Sequence, residues 1–305
     1  MPQLTELRRE LRFSAELFQL IQTLKNIAAS QYHTLEKEKE RFEAFMEAFA
    51  DFFRVVNLVD VNNPLVRRAS DVLGIVVVTS DAGFMGGLNS MVIEAALEER
   101  GTRPDDQVRW IVIGEKGASN YTQNGRSFKY FRGIVQETRY EQALEIRDYV
   151  VQEVLEGRIG HVALAYPKPI SFTQQTVEVI RILPCIDIFD RSASPPLAAG
   201  ASGASGFVNR TMTQARQVIV ESSFDDMVKY LAEVWVASRL YEVFEDSKLA
   251  EFAARAMHLE GSAQKLEKDL KKLKHQCFRA THEMIDKGMR ESFSSRKKKK
   301  KPVAA

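Results

Sequence analysis

From Leu4 to Val56 the chain contains neither glycine nor proline. Across that stretch Leu4, Leu7, Leu11, Ser14, Phe18, Ile21, Lys25, Ala28, Tyr32, Leu35, Lys39, Phe42, Met46, Phe49, Phe53 and Val56 alternate spacings of three and four, and 13 of these 16 places are apolar. A continuous stripe of that period predicts a coiled-coil helix. At ~1.5 Å per residue it would run for roughly 80 Å, far longer than a small domain needs, and the "NNP" at 62 to 64 ends it. A second glycine-poor stretch, about 207 to 293, repeats the spacing at Phe252, Ala256, Leu259, Ala263, Leu266, Leu270, Leu273, Cys277, Ala280 and Met284. Gly261 interrupts it at a cost of only about 1 kcal/mol. These two helices are natural antiparallel partners, which would bring both termini to one tip.

The region between them is patterned differently. Apolar, β-branched runs at 72–79, 108–113, 161–166 and 176–183 alternate with helical segments near 88–100, 115–124 and 139–156. Strands alternating with helices predict a small α/β sheet with parallel pairing. The fold class is therefore α/β with long helices: an antiparallel coiled coil of N- and C-terminal helices on a small Rossmann-like α/β base. Expected boundaries are 1–62 for the first helix, 70–190 for the base, 191–206 ("RSASPPLAAGASGASG") for a flexible linker, 207–293 for the second helix and 294–305 for a basic disordered tail.

Composition excludes several classes. With 45% hydrophobic and 28% charged residues in 305, the chain reads as an ordinary globular protein. Its longest apolar runs, such as "VLGIVVV" at 72–78, fall far short of the roughly 20 residues of a membrane span. The charged N-terminus lacks the pattern of a signal peptide, so export is not expected. Cys185 and Cys277 provide no disulfide framework and read as free thiols. The net charge of +2 conceals a basic end, since residues 262–301 hold 14 Lys or Arg against 5 Asp or Glu. Such an end suits a solvated tail, a nucleic-acid contact or an anionic surface.

The one stretch that resembles a ligand loop is "VTSDAGFMGGLN", 78–89. A Walker loop needs Lys and then Ser or Thr after its glycines, whereas Leu88 and Asn89 follow Gly87. The dinucleotide fingerprint needs G-x-G-x-x-G, and this stretch reads G-x-x-G-G. A structural role is expected instead: Gly83 adopting positive φ, Gly86 and Gly87 permitting close helix-to-sheet packing, and Ser80 or Asp81 accepting backbone N–H groups in the turn. His275 and His282 lie seven residues apart near Cys277, a spacing unlike that of zinc sites. Glu115 and Lys116 in "IGEKG" mark a strand end and read as solvated charges. "NRT" at 209–211 fits a glycosylation sequon but carries no weight for a chain that is not exported. No motif of an enzyme is present, so neither a catalytic, a metal nor a cofactor site is expected.

Between 17 and 29, Leu17, Phe18, Leu20, Ile21, Leu24, Ile27, Ala28 and Ala29 spread apolar surface over more than one stripe. One partner helix covers one stripe, so this part of the hairpin is expected to sit inside another protein.

"TSDAGFMGGLN", including Ser80, Asp81, Gly83, Gly86, Gly87, Leu88 and Asn89, resembles the S-D-x-G-L-C-G-G-L-N signature of the gamma subunit of F-type ATP synthases, with Phe84 and Met85 in place of Leu-Cys. "NIAAS" at 26–30, "VIGEKG" at 112–117, "EFAARAMHLE" at 251–260 and "ATHEM" at 280–284 are similar to further motifs of that family, in the family's order. The resemblance implies a central rotor shaft standing in a hexamer of alternating alpha and beta subunits. It also implies an epsilon-type subunit and a membrane c-ring as partners, and a peripheral position on the cytoplasmic face of the membrane. Candidate hexamer contacts are Leu17, Leu20, Leu24 and Ile27 on the first helix and Leu273, Thr281 and Glu283 on the second. No cofactor and no specific nucleic acid are implied. The sequence departs from the family at "AELFQLIQTL" (15–24), at "MHLEGSA" (257–263) and in its lysine-rich end, which marks a variant, as from an alternative operon. The competing expectations are a coiled-coil adaptor or nucleic-acid-binding protein that uses the basic end, and a nucleotide-binding α/β protein.

Overall fold

A computed structural model of the chain describes residues 2–55, 63–67, 70–185 and 224–299. Helix α1 spans Pro2–Val55 and helix α5 spans Phe224–Lys299. Between them lie β1 (Leu73–Val78), α2 (Leu88–Arg100), β2 (Val108–Ile113), α3 (Glu115–Gln123), β3 (Phe128–Phe131), α4 (Arg139–Leu155), β4 (His161–Pro169) and β5 (Gln175–Leu183). The expected linker at 191–206 and the start of the second helix at 207–223 lie outside the described residues. The chain divides into two units: residues 1–27 with 256–305, and residues 28–255. The division falls inside both long helices, so part of each helix belongs with the sheet.

In the larger unit the five strands are ordered β3-β2-β1-β4-β5. β1 pairs in parallel with β2 and β4, and β2 with β3, as strand-helix alternation predicts. β5 corrects the all-parallel expectation, because it pairs antiparallel with β4. Only the short turn around Ser171 and Gln174 joins those two strands, with Ile170 and Ser171 N–H both donating to the Gln174 carbonyl. A connection that short permits an antiparallel hairpin and no crossover. β3 is unmarked in the sequence: "FKYF" is four residues long, is broken by Lys129 and lacks the apolar run that marks the other strands.

Every residue of β1 is buried, as a central parallel strand requires. On one sheet face Val76, Val78, Ile111 and Leu164 pack against Ile146 and Val150 of α4 and Val236, Leu240 and Phe244 of α5. On the other, Ile75, Val77, Val112 and Ala163 pack against Val92 and Ala96 of α2 and Tyr121 of α3. Further along α5, Leu249, Phe252 and Ala253 join Tyr32 and Leu35 of α1, with Phe172 from the β4–β5 turn alongside. Lys39 pairs with Asp246 at 2.6 Å. Residues rising from 32 to 39 on α1 thus meet residues falling from 253 to 246 on α5, and the two helices run antiparallel.

In the smaller unit Lys25 pairs with Glu260 at 2.9 Å, which holds the Glu260 carboxyl below its ordinary value. Through Ala280 the stripe read from sequence is the face each helix turns away from solvent, while its last member on α5, Met284, is exposed. Leu4, Ser14, Ala263, Leu270 and Cys277 are buried, while Leu7, Leu11, Phe18, Ile21, Leu266 and Leu273 are half-buried. Both cysteines are buried and neither forms a disulfide. α5 remains helical through Lys299, which corrects the expectation of a disordered tail from 294: "RESFSSRKKK" contains no glycine or proline to stop the helix.

Candidate functional site

The glycine-rich turn after β1 works on the helix beyond β2. Helix α3 starts after Gly114, which has no side chain to cap it, and its first N–H groups need acceptors. The end of β1 supplies them in order. The Glu115 N–H donates to Asp81 Oδ1 at 2.9 Å, the Lys116 N–H to the Ser80 carbonyl at 3.1 Å, and the Gly117 N–H to Thr79 Oγ1 at 2.9 Å. Asp81 Oδ1 also accepts from Gly133 N–H at 3.2 Å. Asn89 fixes the turn, its Nδ2 donating to Ser80 Oγ at 3.0 Å and its Oδ1 accepting from the Ser80 N–H at 3.2 Å. At the carboxyl ends of the strands, where an α/β sheet usually receives a phosphate, the start of α3 is therefore occupied by protein groups.

The expected roles of the glycines need correcting. Gly83 does not adopt positive φ; Phe84 does, at 66°, together with Gly86 at 59°. A Cβ on Gly83 or Gly87 would meet nothing within 4 Å, so neither is required for close packing. Around this turn the positions that forbid a side chain are Gly114 and Gly117, where a Cβ would strike Thr79, and Gly133, where it would strike the Asp81 carboxylate. Close approach to the helices comes instead from α5, whose Ala250 and Ala254 receive Met85 and Leu88. Arg255 Nε donates to the Gly83 carbonyl at 3.4 Å. Neither Asp81 nor Ser80 accepts a backbone N–H group within the turn: Asp81 takes those of Glu115 and Gly133, in the loops after β2 and β3, and the Ser80 hydroxyl donates to the Ala82 carbonyl at 2.7 Å.

Exposed apolar side chains mark a second surface, in the smaller unit. Phe13, Leu20 and Ile27 are 66%, 55% and 49% exposed and lie seven residues apart, which aligns them on one face of α1 outside the stripe used against α5. Leu17 and Leu24 are half-buried beside them. On α5, Phe278, Ile285, Met289 and Phe293 are exposed at helical spacing. Of the contact candidates on α5, Leu273 is half-buried, Thr281 donates to the Cys277 carbonyl at 2.7 Å, and Glu283 pairs with Arg279 at 3.0 Å. Phe13 lies outside the crowded apolar window at 17–29, and in the sequence only its seven-residue spacing to Leu20 and Ile27 marks it. Among the described residues no cluster of His, Cys, Asp or Glu is gathered for a metal.

A family model described as ATP synthase matches residues 3–294. The chain belongs to the gamma-subunit family of ATP synthases. This family chain is 24% identical over 299 residues to the ATP synthase gamma chain of Desulforudis audaxviator, covering 94% of this chain and 96% of the relative. It is 23% identical over 297 residues to that of Pelotomaculum thermopropionicum, covering 95% and 97%. Its fold matches a rotor chain of the Euglena gracilis mitochondrial ATP synthase with a TM-score of 0.63 at 14% identity, over 93% of this chain and 99% of that one. The gamma-family signature at 79–89 thus has a physical reading: Thr79, Ser80 and Asp81 cap α3, and Asn89 locks the cap.

Third, among the described residues, a polar hub joins α1, α4 and α5 in the larger unit. Arg139 Nη2 donates to Glu38 at 2.8 Å and to Glu245 at 3.4 Å, Nε donates to the Tyr241 hydroxyl at 3.2 Å, and Nη1 donates to the Gln136 carbonyl at 2.6 Å. Burial raises the Glu245 and Asp246 carboxyls above their ordinary values, against the opposing pull of Arg139 and Lys39. Nothing in the sequence marked this hub, because its members are far apart along the chain.

Proposed function

We propose that this gamma-family chain is the central rotor shaft of an F-type ATP synthase or ATPase. Its helical hairpin would stand in the pore of an alpha-beta hexamer and its α/β base on a membrane c-ring, with an epsilon-type subunit beside the base. The observation that carries this reading is the heptad-spaced face Phe13, Leu20 and Ile27, which is exposed although α1 already buries a different stripe against α5. A helix apolar on two sides needs two partners. A shaft of unequal faces touches each of the surrounding catalytic interfaces differently, so each interface is held in a different state, and turning the shaft moves the states around the ring. The chain would then couple ion flow to ATP chemistry without contributing a catalytic group. The assembly would lie at the cytoplasmic face of the membrane; no helix among the described residues is long and apolar enough to cross it.

The direct test is a rotation assay. With alpha and beta subunits from the same genome fixed to a surface and a probe attached to the base of this chain, ATP should drive stepwise unidirectional rotation. Free diffusion of the probe, indifferent to ATP, would reject the reading.

A further inference from the structure

At the amino ends of β2 and β3, opposite to the cap described above, a cleft of about 500 Å³ opens between Asp105, Arg109, Arg126, Lys129 and Tyr149. Register pairs Ile111 with Lys129 and Trp110 with Phe128. Arg109 and Lys129 therefore project from the sheet face that α4 covers, since side chains alternate along a strand. Lys129 Nζ lies 5.3 Å from the centre of the Tyr149 ring on α4. Arg126 enters from the other side, its guanidinium 5.6 Å from the Tyr121 ring. Asp105, the acidic residue in the wall, is committed to Arg100 at 2.9 Å. The other arginines of α4 and its end are committed too: Arg147 pairs with Asp148, and Arg158 with Glu153 and Glu156. Among the described residues Arg109, Arg126 and Lys129 have no carboxylate partner, and the Tyr149 hydroxyl has no hydrogen-bond partner.

Three cations gathered around one concavity repel one another, and ordinary surface charges are interspersed with the opposite sign, as the neighbouring pairs are. We propose that this cleft binds a small phosphate-bearing anion, with Arg109, Arg126 and Lys129 neutralising it, the Tyr149 hydroxyl donating to it, and the half-buried Tyr149 ring offering an apolar wall for an attached organic group. Guanidinium and ammonium groups around a shared anion are the usual donors for phosphate, and Arg supplies two parallel N–H bonds. This inference stands apart from the rotor reading, since it uses neither helix of the hairpin.

The test is equilibrium dialysis of the full-length chain, without alpha and beta subunits, against radiolabelled pyrophosphate and separately against ATP. Saturable one-to-one binding is expected, weakened roughly tenfold or more by Arg109→Ala or Lys129→Ala, because each removes a charged hydrogen bond. The exposed Arg279→Ala, on α5, should leave it unchanged. Tighter binding of ATP than of pyrophosphate would identify a nucleotide as the natural occupant, and equal binding a bare phosphate compound. Absence of saturable binding of either probe, affinity unaltered in both cleft variants, or displacement by a glutamate-rich peptide at lower concentration than by phosphate would overturn the proposal.

Discussion

Arg139 of α4 donates to Glu245 of α5 at 3.4 Å, and the carboxylate it reaches is only 1% exposed. The same guanidinium holds Glu38 of α1, so a single side chain ties both long helices to the helix that covers the sheet. Removing one partner of a buried pair costs more than the pair contributes, because the other charge is left stranded.

Arg139→Met should therefore destabilise the larger unit by roughly 3 kcal/mol, measured as a shift in the urea midpoint at neutral pH. Glu38→Gln, which affects a much more exposed partner, should cost well under 1 kcal/mol, about the size of a surface pair. Equal losses in the two variants would mean that the hub is solvated.

Burial raises the Glu245 carboxyl in the folded chain. A carboxyl whose folded pKa lies above its unfolded value binds protons more tightly when folded. Its contribution is fully present below the unfolded value near ~4.3 and is lost as pH rises through the folded value. Urea midpoints taken from pH 4 upward should thus fall less steeply for Glu245→Gln than for the wild-type chain. A variant with the wild-type slope would show that Glu245 does not titrate in that range.

Gly114 and Gly87 separate the two readings of the glycine turn. Gly114 has φ of 95° and would drive a Cβ into the Thr79 carbonyl, whereas the Gly87 position is open. Gly114→Ala should cost roughly 2–4 kcal/mol. Gly87→Ala should lie within about 0.5 kcal/mol of wild type. Thermal melts of the two variants decide it; a Gly87→Ala melt as damaged as that of Gly114→Ala would contradict the placement of α2.

Periodicity carried most of the architecture. The stripe from Leu4 to Lys39 and its counterpart from Phe252 to Cys277 were legible because a single face of a long helix repeats every 3.5 residues whatever it packs against. The central strands β1, β2 and β4 were legible because their buried positions lie on both faces and form apolar runs, interrupted in β2 only by Arg109. What escaped was relational. The hairpin that turns β5 antiparallel depends on the length of a turn. The cap on α3 joins Asp81 to Glu115 across 34 positions, and the Arg139 hub joins three helices. Gly114, Gly117 and Gly133 look ordinary in the sequence beside the cluster of Gly83, Gly86 and Gly87, although a Cβ would clash at those three and would meet nothing at Gly83 or Gly87.

Truncation after Phe293 should leave the unfolding transition of the chain unchanged. The residues from Met289 to Ser294 are all exposed, and the five consecutive lysines that follow at 297–301 repel one another. Circular dichroism melts of the truncated and full chains test this; a lower midpoint after truncation would reveal a packing contact made by the basic end.

The central claim is that the face of Phe13, Leu20 and Ile27 is a bearing surface buried by alpha and beta subunits. It is tested most directly by co-expressing the chain with the alpha and beta subunits of its own genome. The account predicts one copy of the chain per alpha-beta hexamer, retained through high-salt washing because the contact is apolar. It also predicts loss of that copy for the Leu20→Asp, Ile27→Asp double variant, whose carboxylates would be buried without partners. A chain that stays monodisperse alone and ignores the hexamer, or a double variant that co-purifies like the wild type, would contradict it.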